Sequence, residues 1–233
     1  MKSHRKKTRA LLSISIFMIL CYSDIHAYKF DFITVTDIVN KIKKKFGELD
    51  TYDANFNIVT EKMGKKTNNS GNVKYKSTDK LLMTFYNPPG QKIVSNGKMM
   101  WIYIPTLNVV AEQDLKSDSS LFSSGTKMGL KRLFSKYHYK FDSKTQPEPQ
   151  KDGTKMYTLL LNQKESRSGY RSIKLWISED YLISRAIGWT SSGKKVEISF
   201  SQIKTNVDIP NGVFKFTVPA RARVIKNPMI SED

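Results

Sequence analysis

Residues 71–105 read GNVKYKSTDKLLMTFYNPPGQKIVSNGKMMWIYIP, and this stretch decides the fold. Val73 and Tyr75, then Leu81, Met83 and Phe85, then Met100, Ile102 and Ile104 recur at every second position. That is the period of a strand, whose alternate side chains face one side of a sheet. The breaks between the runs are turn chemistry. Asn87-Pro88-Pro89-Gly90 stops the chain, and Asn96-Gly97 predicts a two-residue hairpin turn, because both residue types accept the positive φ it demands. Strands joined by such short connections are antiparallel neighbours.

The same rhythm continues on both sides. Upstream, Tyr52, Ala54, Phe56 and Ile58 alternate with polar residues before a turn at 68–71. Downstream, strands are expected near 108–113, 138–142, 156–161, 172–178, 182–189 and 195–202, with Val196, Ile198 and Phe200 alternating cleanly in the last. A closing strand over 213–218 ends at Pro219. Two stretches break the rhythm. Val35, Ile38, Val39, Ile42, Phe46 and Leu49 recur at three- and four-residue spacing, and Lys41, Lys43, Lys44 and Lys45 fill the other side, which predicts an amphipathic helix. Thr34, with Asp37 three residues on, supplies its cap. Met128, Leu130, Leu133 and Phe134 predict a second, short helix among Ser- and Gly-rich loops.

About eleven strands with two or three helices make the chain mainly β with α. A twisted sheet of that size curls, so the expectation is a single curled antiparallel sheet with the helices covering its concave face. No linker or internal repeat divides it, and one domain is expected over 28–233.

The chain has 233 residues, with 39 Lys and Arg against 21 Asp and Glu, a net charge of +18, 3 His and 1 Cys. Residues 1–27 read as a signal peptide. A basic leader precedes an apolar run from Ala10 to Tyr22, and Ala27 is small where cleavage is expected. The run is shorter than the ~20 residues of a spanning helix. Lipidation of Cys21 and an uncleaved anchor are the rival readings, the first disfavoured by bulky Leu20. Cleavage removes Lys2, Arg5, Lys6, Lys7 and Arg9 together with Asp24, leaving +14 and no cysteine, which suits an oxidising compartment. The lysines are dispersed and not interleaved with aromatics in one stripe, so no nucleic-acid partner is expected. Their remaining use is at membranes, where Lys41, Lys43, Lys44 and Lys45 would attract anionic headgroups.

Catalytic chemistry is scarce. His138 is the single histidine of the mature chain and lies in Tyr137-His138-Tyr139, with no Gly-x-Ser-x-Gly elbow to place a serine beside it. Glu179-Asp180 reads as a solvated turn. There is no phosphate loop, dinucleotide fingerprint or metal-ligand cluster. No enzyme activity, cofactor or metal is expected, and the sequence reads as a binding protein.

At Gly71 to Pro105 the sequence resembles the periplasmic lipoprotein carrier family, LolA. The resemblance rests on Phe56 in a first strand, Gly71-Asn72-Val73-Lys74-Tyr75, an aromatic-rich strand from Leu81 to Pro88, Val94-Ser95-Asn96-Gly97, and Trp101-Ile102-Tyr103-Ile104-Pro105. Phe214-Lys215-Phe216 before Pro219 looks like the family's last strand. Gly97, Trp101, Tyr103 and Pro105 carry the specific part of the motif.

The resemblance implies a half-open β-barrel in the periplasm that shelters the acyl chains of triacylated lipoproteins. It would take them from an ATP-driven transporter of the inner membrane and deliver them to an outer-membrane acceptor, as a monomer. The residues expected to form the apolar wall and lid are Ile42, Phe46, Phe56, Val73, Tyr75, Leu81, Met83, Phe85, Met100, Ile102, Ile104, Met128 and Leu133. One position departs from the family pattern. Ser77-Thr78 stands where an Arg-Pro pair usually latches the lid, and neither Ser77 nor nearby Lys76 reproduces a forked guanidinium. A lipid-anchored acceptor of the same fold, and a basic periplasmic sensor or scaffold with a packed core, are the alternative readings.

Overall fold

The computed structural model describes residues 32–115, 127–165 and 169–227, and those from Ile33 onward belong to one unit. The signal peptide expected over 1–27, with Cys21, lies outside the described residues. Helix α1, Val35–Glu48, begins at the expected cap. Asp37 N–H donates to Thr34 Oγ1 at 3.1 Å, and Thr34 N–H donates back to Asp37 Oδ2 at 2.9 Å. This reciprocal pair satisfies donors that a first turn otherwise leaves orphaned.

After α1 come β1 (Thr51–Lys62), β2 (Lys65–Lys76), β3 (Lys80–Asn87), β4 (Lys92–Asn96), β5 (Met99–Ile104) and β6 (Val109–Asp114). Helix α2, Lys127–Lys136, leads into β7 (Tyr137–Phe141), β8 (Glu148–Pro149), β9 (Lys155–Gln163), β10 (Tyr170–Ser178), β11 (Ile183–Thr190) and β12 (Lys195–Thr205). The last strand is β13 (Arg223–Lys226). All belong to one 13-stranded sheet in the order β13-β6-β5-β4-β3-β2-β1-β12-β11-β10-β9-β7, with β8 beside β9. The order does not close on itself. Strand β12 returns to pair with β1, so the two halves of the chain meet along the first strand.

Besides the turn expected at 68–71, which falls inside β2 because the reversal comes earlier, at Met63-Gly64 with positive φ at both, three details depart from the sequence reading. The strands number thirteen because two short ones, β8 and β13, carry no alternating pattern. The Asn96-Gly97 turn is displaced by one residue, with Gly97 and Lys98 between the strand ends. Asn96 Oδ1 accepts from the N–H groups of Lys98 and Met99 at 2.9 Å each, and Gly97 at φ +91° lies so close to Thr78 that a Cβ would come within 2.4 Å of its carbonyl oxygen.

The third departure is the expected closing strand. Residues Asn211–Phe214 form a 3₁₀ turn, and Phe216 beyond it stacks on Trp101 at 5.9 Å and lies 6.4 Å from Tyr103. The segment crosses the outer face of the sheet and buries Phe214 on the way. Period two reports which side chains are covered, and not whether another strand lies alongside. The edge is taken instead by β13, which pairs parallel to β6 while every other pair is antiparallel.

The inner face carries two buried clusters. In one, Ile38, Val39 and Ile42 of α1 meet Leu130, Leu133 and Phe134 of α2 over Leu159, Leu161, Ile173 and Leu175. Here helices pack on β9 and β10. In the other, Tyr52, Phe56, Val73, Tyr75, Leu81, Phe85 and Met100 form a wall on β1 to β5, with Leu49 beside it and, among the described residues, no side chain of α2. The helices therefore cover one half of the sheet closely and stand off from the other.

Candidate functional site: an apolar cavity beneath the helices

Strand register lines the inner face up in rows. Ala54, Val73, Met83, Ile93 and Ile102 are direct cross-strand partners from β1 to β5. Ile58, Ile198, Ala186 and Leu175 form a second row through β12 and β11 to β10. Every residue of both rows lines a cavity of about 620 Å³, closed on the helical side by Phe46, Leu130 and Leu133. Phe46 is the hinge point between the clusters and packs against both.

The wall is uncharged over most of its surface. Tyr170, one of the lining residues, has its hydroxyl pushed up by burial, and burial with neighbouring Tyr75 does the same for Tyr52. Both stay neutral at physiological pH. Thr60, Asn69, Gln91 and Lys194 are the polar lining residues apart from tyrosine. They lie on or beside the strands running into the β1–β2, β3–β4 and β11–β12 turns, which makes that end of the cavity its polar one. Among the described residues no Asp or Glu lines the cavity. The arrangement offers much apolar surface to a chain.

Of the residues expected from the sequence, Phe46, Val73, Leu81, Met83, Phe85, Ile102 and Leu133 line the cavity. Ile42 does not, because it is wholly buried in the packed cluster between the helices and the sheet. Phe56, Tyr75 and Met100 sit beneath the lining. The Phe56 ring lies over Gly71, where a Cβ would come within 2.6 Å of it, and meets Phe85 edge-on at 5.0 Å. Tyr75 stacks on Tyr52 at 5.3 Å. Ile104 is half-buried outside the cavity. Met128 belongs to α2, and its side chain lies outside the described residues. Of the motif residues, Trp101 and Tyr103 face Phe216, and Pro105 starts the 3₁₀ turn after β5. They stabilise the back of the sheet and touch no cavity.

The sequence reading missed the second half of the wall: Ile173, Leu175, Leu182, Ile183, Ala186, Val196, Ile198, Phe200 and Ile203. The alternation of Val196, Ile198 and Phe200 was signal enough to propose the last strand. What it lacked was the pairing of β12 with β1, which brings these residues to the same cavity as Met83.

At the expected latch position, Ser77 N–H donates to Asp50 O at 2.6 Å and so holds the link between α1 and β1. Lys76 points elsewhere, its Nζ donating to Ile209 O at 2.7 Å. The cation that ties α1 down is Lys41, whose Nζ donates to Tyr181 Oη at 3.0 Å and stands 5.1 Å from the ring centroid.

Comparison with known proteins agrees with this geometry. An outer-membrane lipoprotein carrier protein of Legionella pneumophila (strain Lens) is 27% identical over 190 residues, 79% of this chain and 88% of the relative. That of Francisella tularensis subsp. novicida (strain U112) is 25% identical over 216 residues, 89% and 96% of the two chains. Among solved structures, an uncharacterized conserved protein from Thermus thermophilus superposes with a TM-score of 0.55 at 12% identity, over 82% of this chain and 98% of that one. MucB superposes with a TM-score of 0.50 at 15% identity, over 82% of this chain and 64% of that one. These likenesses show the fold. The family profile described as outer membrane lipoprotein carrier protein LolA matches residues 47–217, a span that runs from the end of α1 across both halves of the cavity wall, and the chain belongs to that family.

Proposed function

We propose that the protein is a periplasmic carrier that takes up the acyl chains of lipoproteins in the cavity between its helices and its sheet. Residues 1–27 would direct export and be removed, an ATP-driven transporter of the inner membrane would load the cargo, and an acceptor at the outer membrane would receive it. The observation that carries this reading is the cavity itself, whose two in-register apolar rows meet at β1. A scaffold using the same sheet needs a packed core there.

The cavity's size bears on what it holds. If a methylene takes roughly the ~30 Å³ of a water molecule, 620 Å³ accommodates about twenty, which is one long acyl chain. Sheltering one chain of about fifteen methylenes is worth roughly 12 kcal/mol at ~0.8 kcal/mol each. Three fully sheltered chains would make release very slow, so incomplete shelter suits a carrier. Methionine suits it too, and Met83 sits at the centre of the first row, able to adapt to a mobile chain.

Purified protein mixed with a triacylated lipopeptide should co-elute with it on size exclusion. Met83→Glu places a carboxylate against apolar chain and should abolish co-elution while the circular dichroism spectrum stays unchanged. A wild-type protein that forms no complex would overturn the proposal. Fatty-acid label that enters the protein and is lost in Cys21→Ala would make it a membrane-anchored acceptor of the same fold instead.

A further inference from the structure

The two ends of the sheet differ in net charge. Because sequential strands alternate in direction, the β1–β2, β3–β4, β5–β6, β9–β10 and β11–β12 turns share one end. That end carries Lys62, Lys65 and Lys66 in or next to the first turn, Lys92 at the second, Lys164 at the fourth, and Lys194 and Lys195 at the fifth. Against them stand Glu61 and Glu165. At the opposite end the charge is mixed: Asp50, Asp79, Asp142, Asp152, Glu179 and Asp180 stand beside Lys76, Lys80, Lys98, Lys151 and Lys155.

Among the described residues, three of the four most exposed large apolar side chains lie at the basic end, the fourth being Phe32 ahead of α1. Met63, at the tip of the β1–β2 turn, is 90% exposed, Tyr86 at the end of β3 is 62% exposed, and Leu107 in the β5–β6 turn is 68% exposed. These three turns are adjacent along the sheet edge. Arg223 N–H donates to Asn108 O at 2.9 Å, and Asn108 Nδ2 donates to Arg221 O at 3.0 Å, so two arginines join the same end. The cavity's polar lining residues, Thr60, Asn69, Gln91 and Lys194, lie there as well. A single exposed apolar residue means little, but three on neighbouring turn tips, ringed by one sign of charge, match the interface of an anionic bilayer.

We propose that this end docks onto an anionic membrane surface, Met63, Tyr86 and Leu107 entering the headgroup layer while the surrounding lysines meet lipid phosphates. The polar end of the cavity then faces the bilayer, and an acyl chain entering there passes between membrane and cavity without crossing water. That purpose rests on the carrier reading; the docking is measured without cargo.

Protein recovered after export and processing is sedimented with phosphatidylcholine vesicles, with and without phosphatidylglycerol. Binding is expected only to the anionic vesicles and falls steeply with salt. Each basic residue near such a surface strengthens binding about fivefold, so the triple variant Lys62→Gln, Lys65→Gln, Lys66→Gln should lose on the order of a hundredfold. Met63→Ser with Leu107→Ser weakens binding at constant charge. Lys98→Gln, Lys151→Gln, Lys155→Gln makes the same change in charge at the opposite end and should bind as wild type. Equal loss in the two triple variants, or no binding by wild type, overturns the proposal. Lipopeptide loading in solution is unchanged in all these variants, since none touches the cavity wall. A protein that docks yet never loads removes the carrier reading and leaves docking standing.

Discussion

Ala186→Phe separates a cavity from a packed core. Ala186 lines the cavity in the row between Ile198 and Leu175. In a packed core, six added carbons force neighbours off their rotamers and cost about 1–3 kcal/mol. Here the ring enters space already bounded by apolar walls. Thermal stability should hold or rise, because the ring gains contacts without displacing protein. The same ring takes the room of about four methylenes, and at ~0.8 kcal/mol each that removes roughly 3 kcal/mol of acyl-chain affinity, more than a hundredfold. Leu159 is the control, since it pairs with Leu175 one strand further along the row but is wholly buried under the helices. Leu159→Ala should cost about 2–5 kcal/mol of stability and leave the affinity of the folded protein near wild type. Lipopeptide titration by isothermal titration calorimetry, beside scanning calorimetry, gives both quantities. A destabilised Ala186→Phe protein with undiminished affinity would refute the assignment of the cavity as the binding site.

Gly71→Ala would bring a Cβ within 2.1 Å of Thr84 O and 2.6 Å of the Phe56 ring, and should lower stability by about 1–3 kcal/mol in urea unfolding; an unchanged midpoint would count against that close approach. Phe216→Ala removes the ring stacked on Trp101 and should cost roughly 1–3 kcal/mol without altering lipopeptide affinity, as the ring lies on the outer face. Partial burial raises the Asp53 carboxyl, but Lys74 and Asn72 lower it further, and its net value falls below the ordinary 3.8. A carboxyl lowered in the folded state adds stability that is complete above about pH 4 and is lost as pH falls through the folded value. Asp53→Asn should therefore be less stable at neutral pH with a shallower acid limb, and parallel pH profiles for the two proteins would refute the pairing.

How much of this was legible in the sequence depends on which interactions are local. The α1 cap is local, and Thr34 with Asp37 announced it. The strand faces are local too, so Val73, Leu81, Met83, Phe85 and Ile102 were readable as one wall. The depth of a residue behind that wall is not. Phe56 and Met83 both alternate correctly, yet Phe56 lies over a glycine while Met83 faces the cavity, and only cross-strand neighbours decide between them. The pairing of β12 with β1 joins residues far apart in the chain, Glu61 with Lys195 at the near end and Tyr52 with Thr205 at the far one, and no local pattern carries it. The segment over 213–218 failed for a related reason: its alternation records rings pressed on the sheet's back, which a strand pattern imitates.

The uneven distribution of the two clusters follows from what a carrier has to do. Roughly 12 kcal/mol for one sheltered chain rivals the whole folding stability of a domain, about 5–15 kcal/mol. If the helices drew their stability from the same surface that receives the chain, cargo would compete with folding. Ile38, Val39 and Ile42 draw most of it from β9 and β10, and the β1 to β5 wall faces the cavity; the two surfaces share only part of their residues, Leu130, Leu133, Ile173 and Leu175 among them. Helix α1 is held beyond that half as well, since Leu49 just past its end is buried in the wall and Ser77 grips Asp50. With both ends of α1 fixed, any enlargement of the cavity would fall to the Phe46 side chain and to α2, whose described side chains meet the sheet in the packed cluster. The family's lid latch then has less to do here, which is consistent with a serine at Ser77 and with the tie on α1 running through Lys41 to Tyr181.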